Sequence, residues 1–266
     1  MNLHLSSMVL VACSLLVSAA FGQQTEKKEQ AGQEAAKAVD NGTDPTKFSK
    51  LAEAKYEYLD LNDGFSSGAL RLSYTQPLGE KQDYSLRFRA PITRVNTLGN
   101  DRHELGDVSI QLAHVFGLTK EHGFVAQGEL TFDSAQRKEL GTGKNVFKGT
   151  LIYAKFLKDG SIFAPAFVQS NSFSGDKNRP KVNTTTIDFY YVPKFSDPHN
   201  LMTLDPALNF DWEHDKRFVS LAVTMGRVIG KAFGGNSIVF VKPSAFAGAD
   251  RPGDWGVELG YKLIGF

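Results

Sequence analysis

From about Leu51 onward the chain alternates apolar and polar residues in segments broken by clusters of Gly, Asp, Asn and Lys. The clearest runs from Met202 to Trp212, where Met202, Leu204, Leu208, Phe210 and Trp212 share one parity and Thr203, Asp205, Asn209 and Asp211 the other. A helix would bring Asp205, Leu208 and Asp211 onto one face, so the period is two, that of a strand. The same alternation occurs in Tyr84–Arg89, Phe124–Phe132, Val219–Met225 and Trp255–Tyr261. The pattern predicts twelve strands, near 53–61, 67–78, 82–94, 105–117, 122–134, 146–158, 160–173, 184–195, 200–212, 217–229, 236–248 and 254–266. Several reach the ~9–11 residues that a tilted membrane-crossing strand requires.

Loop lengths add to this. The connections after the third, fifth and seventh strands are long and polar (NTLGNDRH, DSAQRKELGTGKN, NSFSGDKNRPKVN), and those after the second, fourth and sixth are short (GEK, GLTKEH, LKDG). Outer-membrane barrels show this alternation, with the long loops extracellular. It blurs later, where HDKR is short and PKFSDPHN longer. A soluble barrel or sandwich would share the strand alternation. Two features favour a lipid-facing wall: aromatics cluster near predicted strand ends (Tyr84, Phe116, Trp212, Trp255 among them), and the chain closes on Gly260–Phe266. That end resembles the assembly signal of outer-membrane barrels, so Phe266 is expected to engage the barrel-assembly machinery. The fold class predicted is all-β, a transmembrane antiparallel β-barrel of about twelve strands.

The region before Leu51 divides in two. Residues 1–22 hold the only long apolar run, ending in Ala20-Phe21-Gly22, and are expected to be a secretory signal peptide. Their start lacks Lys and Arg, which leaves a membrane anchor as an alternative. Leu10-Val11-Ala12-Cys13 leaves another, lipidation at Cys13. Residues 23–50 are rich in Ala, Gln, Glu and Lys without an apolar stripe, and are expected to be a polar periplasmic linker, with a folded plug as the alternative. The barrel is expected to occupy 51–266.

Composition narrows the function. The formal charge of the 266 residues is +1, which gives no basic footprint for nucleic acid. With one cysteine no disulfide can form within the chain, and no histidine pair has metal-ligand spacing on one element. No cofactor or metal is expected. His114 continues the outward face of Val108-Ile110-Leu112, and no serine follows a histidine in a strand motif suited to a lipid hydrolase. No catalytic residue is assigned.

If large apolar residues face lipid, their neighbours face the lumen. Candidate lumen-lining residues are Arg71, Arg87, Arg89, Glu129, Asp205 and Asp211, with arginines on early strands and acids mostly on later ones. They would either set a transverse field along a solute pathway or pair to fill a narrow barrel. Pro165, Pro206 and Pro243 fall mid-strand, where each lacks a ladder donor. They are expected to sit at bulges or to kink the wall, in the extreme opening a lateral exit.

The succession Leu72-Ser73-Tyr74-Thr75-Gln76-Pro77, Leu86-Arg87-Phe88-Arg89-Ala90-Pro91 and Glu104-Leu105-Gly106-Asp107-Val108 resembles outer-membrane proteins of the MetA-pathway of phenol degradation family. Leu140–Lys144, Ser172–Pro180, Gly226–Lys231 and Arg251–Trp255 follow in the same order, so the resemblance spans roughly 45–266. It implies an outer-membrane barrel of transporter type, with aromatic compounds suggested for some members, and it makes prolines in strands shared architecture. The function expected is a porin-like passive channel or facilitator for small, in some members hydrophobic or aromatic, molecules. The alternatives are a filled structural or adhesion barrel acting through its loops and, more remotely, a membrane lipid hydrolase. The expected partners are outer-membrane lipid and a solute that the sequence does not name.

Overall fold

The computed structural model describes residues 39–96 and 103–266. Within them the chain forms thirteen strand segments: β1 (Leu51–Leu61), β2 (Ser66–Leu78), β3 (Tyr84–Val95), β4 (Glu104–Leu105), β5 (Ser109–Phe116), β6 (His122–Thr131), β7 (Lys144–Phe156), β8 (Ile162–Gly175), β9 (Asn183–Val192), β10 (Asn200–Asp211), β11 (Lys216–Ala232), β12 (Gly235–Ala247) and β13 (Gly253–Ile264). Neighbours in sequence pair antiparallel, and β1 also pairs with β13, from Leu51↔Ile264 upward, which closes the ring. β4 and β5 both pair with β3 and form one interrupted wall strand, so the barrel is twelve-stranded. Each wall strand begins and ends within three residues of the span predicted for it.

Side chains sort by parity, as closure requires. Outward positions carry large exposed apolar residues such as Leu72, Phe88, Leu112, Phe147, Phe167 and Leu259. Two aromatic bands bound this surface. At the end holding Leu51 and Ile264, the near end, Tyr84 stacks on His114 (centroids 4.1 Å apart), Phe116 on Phe124 (5.6 Å), and Phe124 meets Tyr153 (5.2 Å). At the far end Phe210 stacks on Trp212 and Tyr58 meets Trp255. An apolar wall between aromatic girdles is what contact with a bilayer selects. His114 belongs to the near band, where its ring lies against those of Tyr84 and Phe116.

The inner face changes character along the axis. At mid-height it is polar. At the near end it is apolar: Leu201, Val228, Ile238 and Ile264 form a buried cluster, against which Val39 and Leu51 pack. Residues 39–50, the described part of the segment 23–50, lie over that cluster. Two Asx-turns fold the segment. Asn41 Oδ1 accepts from Thr43 N and Oγ1, and Asp44 Oδ1 accepts from Thr46 N and Oγ1. Tyr190 Oη donates to Thr43 O (3.2 Å), and Asn236 Nδ2 donates to Asp40 O (3.1 Å), so the loop is bonded to β9 and β12. Gly42 has φ +68°, and a Cβ there would stand 2.6 Å from Ile264 Cδ1. Polar composition hid a segment whose few apolar atoms and backbone groups cap an apolar mouth. The predicted signal at 1–22, Cys13 and residues 23–38 lie outside the described residues.

The three mid-strand prolines act alike. Pro165, Pro206 and Pro243 all point outward, on β8, β10 and β12, which run in the same direction. Facing and donor direction alternate together along a strand, so all three lack the N–H that would reach the preceding strand. Pairing is missing there for the proline and the residue before it: between Ile152↔Ala166 and Lys155↔Phe163, between Leu204↔Tyr191 and Ala207↔Asp188, and between Ala222↔Ser244 and Met225↔Val241. The flank toward the following strand is unbroken in each case. The paired rows resume in the same register, so the prolines thin the ladder and the wall stays closed. Pro91 takes a related place at the β4/β5 break, where its carbonyl accepts from Gly106 N (2.9 Å).

Candidate functional site

The register places all six candidate lumen residues on the inward face. Arg71, Arg87 and Arg89 stand opposite Pro91, Thr75 and Ser73 across β2 and β3, and Glu129 stands opposite Gln111 and Lys148. Asp205 and Asp211 share the inward parity of β10 with Ala207, which pairs with Ser220. Five of the six border two internal cavities. The larger, about 450 Å³, is lined by Arg71, Arg87, Arg89 and Glu129 together with Glu53, Lys55, Glu57 and Lys148. The smaller, about 310 Å³, is lined by Asp205, Asp188, Lys242, Glu258, Asn209 and again Glu57. The cavities meet at Glu57. Asp211 is elsewhere: its Oδ2 lies 2.8 Å from His214 Nδ1 and its Oδ1 accepts from Glu213 N, so it caps the β10–β11 turn.

Most inward charges are matched. Glu129 is nearly buried and sits between Arg89, which bonds it directly, and Lys148 (2.5 Å), while Ser109 Oγ donates to it at 2.7 Å. Arg71 Nε meets Glu57 at 2.7 Å, Lys55 meets Glu258 at 2.5 Å, and Lys262 meets Glu53 at 3.6 Å. Lys242 lies 3.5 Å from Asp205 and 3.9 Å from Glu258. Pairing of this kind follows from the cost of leaving a charge uncompensated where water is scarce. Two groups depart from it. Arg87 spends Nε on Thr75 Oγ1 (2.7 Å) and has no carboxylate within ion-pair distance among the described residues. Asp188 meets another carboxylate, Asp205, in place of a cation, and its Oδ1 has no hydrogen-bond partner.

The parity rule could have found the residues that sequence reasoning missed. Glu53, Lys55 and Glu57 alternate with Ala52, Ala54, Tyr56 and Tyr58, a period-two signal as clear as that of β10. Lys148, Asp188 and Lys242 sit at inward parity in strands whose other positions mix Thr, Gly and Ser with apolar residues, which blurs the alternation.

The far mouth is bounded by the 132–143 loop. Asp107, which borders the larger cavity, accepts N–H bonds from Ser134 (3.1 Å), Ala135 (3.1 Å) and Thr142 (2.8 Å). Leu140 is buried beside it, and Arg137 pairs with Glu104 (2.5 Å). Lys138 reaches Asp176 on the next loop at 3.0 Å. The Asn178 backbone N–H, and then Lys138, hold the Asp176 carboxyl below its ordinary range.

A closed wall, apolar outside and charged inside, is the arrangement of known channel proteins. The crystal structure of the COG4313 outer membrane channel from Pseudomonas putida F1 matches 88% of this chain and 100% of its own at TM-score 0.62 and 12% identity. The NanC porin matches 82% of this chain and 99% of its own (TM-score 0.55, 10% identity). The KdgM porin matches 80% and 98% (TM-score 0.54, 10% identity). The fold is that of outer-membrane channel barrels. At these identities the likeness is one of fold alone. No protein-family model matches the chain, and no curated protein matches it in sequence.

Proposed function

We propose that this protein is a passive channel of the bacterial outer membrane, carrying small solutes by diffusion through a charged lumen. The observation that supports this best is the pair of cavities meeting at Glu57 inside a closed wall, lined by charges from both sides of the ring. A barrel stabilised only by its interior has no need of water-accessible volume beside so many ionised groups. Arg71, Arg87, Arg89, Glu129 and Asp205 form the solute pathway, and Asp211 holds the turn at its rim. In this orientation the near end faces the periplasm and the 132–143 loop faces outside. Residues 1–22 serve as the export signal. Phe266, whose ring lies near Lys50 Nζ (4.8 Å) and Tyr74 (6.5 Å), ends the chain at the near mouth as a recognition element for assembly. The resemblance to the MetA-pathway family adds aromatic compounds as one class of solute.

Single-channel recording of purified protein in planar bilayers tests this. Discrete conductance steps are expected, small in the intact protein because residues 39–50 cover the near mouth. No conductance, either intact or with that segment removed, would leave the filled structural barrel as the better account.

A further inference from the structure

We propose that Arg87 is a binding point for the carboxylate of a small organic acid in transit through the lumen. This rests on the channel function above and names its substrate class.

Pairing around the wall isolates this residue. The two acids whose fields reach it, Glu53 and Glu129, are already engaged by Lys262 and by Arg89 with Lys148. Arg89, two residues along on the same face, adds positive charge beside it. Thr75 Oγ1 occupies Nε and fixes the guanidinium plane. The two terminal nitrogens therefore remain as a parallel pair of donors, on a side chain bordering the larger cavity. That edge matches the two oxygens of a carboxylate, and a charge-assisted bidentate pair is stronger than either contact alone. A guanidinium without its own acid, inside a wall that supplies one to its neighbours, is suited to meet an anion from the lumen.

Across the lumen stands Asp188, which shares the smaller cavity with Asp205 and Lys242. From Arg87 the ladder leads one way through Gln111, Glu129, Lys148 and Ser170 to Thr184 on β9. The other way, through Thr75, Leu51, Ile264, Asn236 and Lys231, it arrives beyond the end of β9. The strand tilt divides this offset around the ring, so Asp188 lies near the level of Arg87 on the far wall.

The test uses the full protein in planar bilayers, with propionate, its neutral isostere propionamide, and inorganic phosphate as probes. Propionate should reduce the open-channel current in a dose-dependent way; propionamide should not, and phosphate should do so more weakly. Arg87→Gln should raise the half-blocking propionate concentration at least about tenfold, the loss of one charge-assisted bond. Arg87→Lys, which keeps the charge without the planar fork, should fall between and covers the case in which the glutamine variant does not fold. Equal block by propionate in wild type and variants would overturn the assignment, as would phosphate blocking as well as propionate. If the protein conducts nothing in any form, the channel function fails by itself. Calorimetric titration of propionate into detergent-solubilised wild type and Arg87→Gln then decides the site, with loss of binding in the variant supporting it and no difference overturning it.

Discussion

The two stretches of the lumen are built on opposite principles. At mid-height the inner face is stabilised by matching charge to charge, and cavities of about 310 and 450 Å³ remain open. At the near end it is stabilised by excluding water, with Ile238 and Ile264 fully buried and Val39 drawn in against them. The difference shows that inward does not mean polar. An apolar inner rim is stable only if something covers it, and here the chain's own leading segment does so. Where the inner face is charged, no such cover is present among the described residues, and solvent or solute can enter.

Removing residues 39–50 should produce the largest change, a several-fold rise in conductance, read from single-channel steps. Unchanged conductance would place the barrier in the charged stretch instead. Next comes the charged stretch itself. Glu129→Gln leaves Arg89 and Lys148 facing each other without their acid and should cost about 3–5 kcal/mol of stability in urea unfolding from lipid vesicles. A loss below about 1 kcal/mol would mean that the site is as solvated as a surface pair. Ile238→Ala removes a fully buried side chain from the near cluster and should cost roughly 2–5 kcal/mol by the same measurement, with a rise in conductance if the segment loosens.

The smallest effect lies outside the wall. The Asp176 carboxyl is held below its ordinary 3.8 by the Asn178 N–H and Lys138. Its contribution is therefore full above 3.8 and lost as pH falls through the lower folded value. Acidification should loosen the contact between the 132–143 and 176–182 loops, seen as faster exchange of the Asn178 amide after correction for its intrinsic rate. The barrel's strand amides should be unaffected.

The wall was legible in the sequence because a strand buried in lipid on one side must alternate, and β10 alternates along its length. The inward set was most legible where the outward residues are mostly large, as on β10. On β7 and β9, Gly149 and Thr185 stand at outward parity, so Lys148 and Asp188 do not stand out against them. The covering role of residues 39–50 was hidden for another reason. The segment's hydrogen bonds to β9 and β12 use backbone carbonyls and Val39 alone of its residues packs on the cluster, so composition gives no apolar stripe, and the sign it does carry is the doubled Asx-x-Thr turn at Asn41 and Asp44. Partner choice among charges was also beyond periodicity. Parity puts Arg87 and Arg89 on one face, and only the register shows that Glu129 goes to one and to neither terminal nitrogen of the other.

The prolines have a mechanical consequence. Each of Pro165, Pro206 and Pro243 weakens the junction with the strand before it and spares the one after, which groups β8 with β9, β10 with β11 and β12 with β13. The wall is thus perforated between hairpins and continuous within them. Pulled from its C-terminal end on a cantilever, the barrel should tear along these lines and leave the membrane two strands at a time.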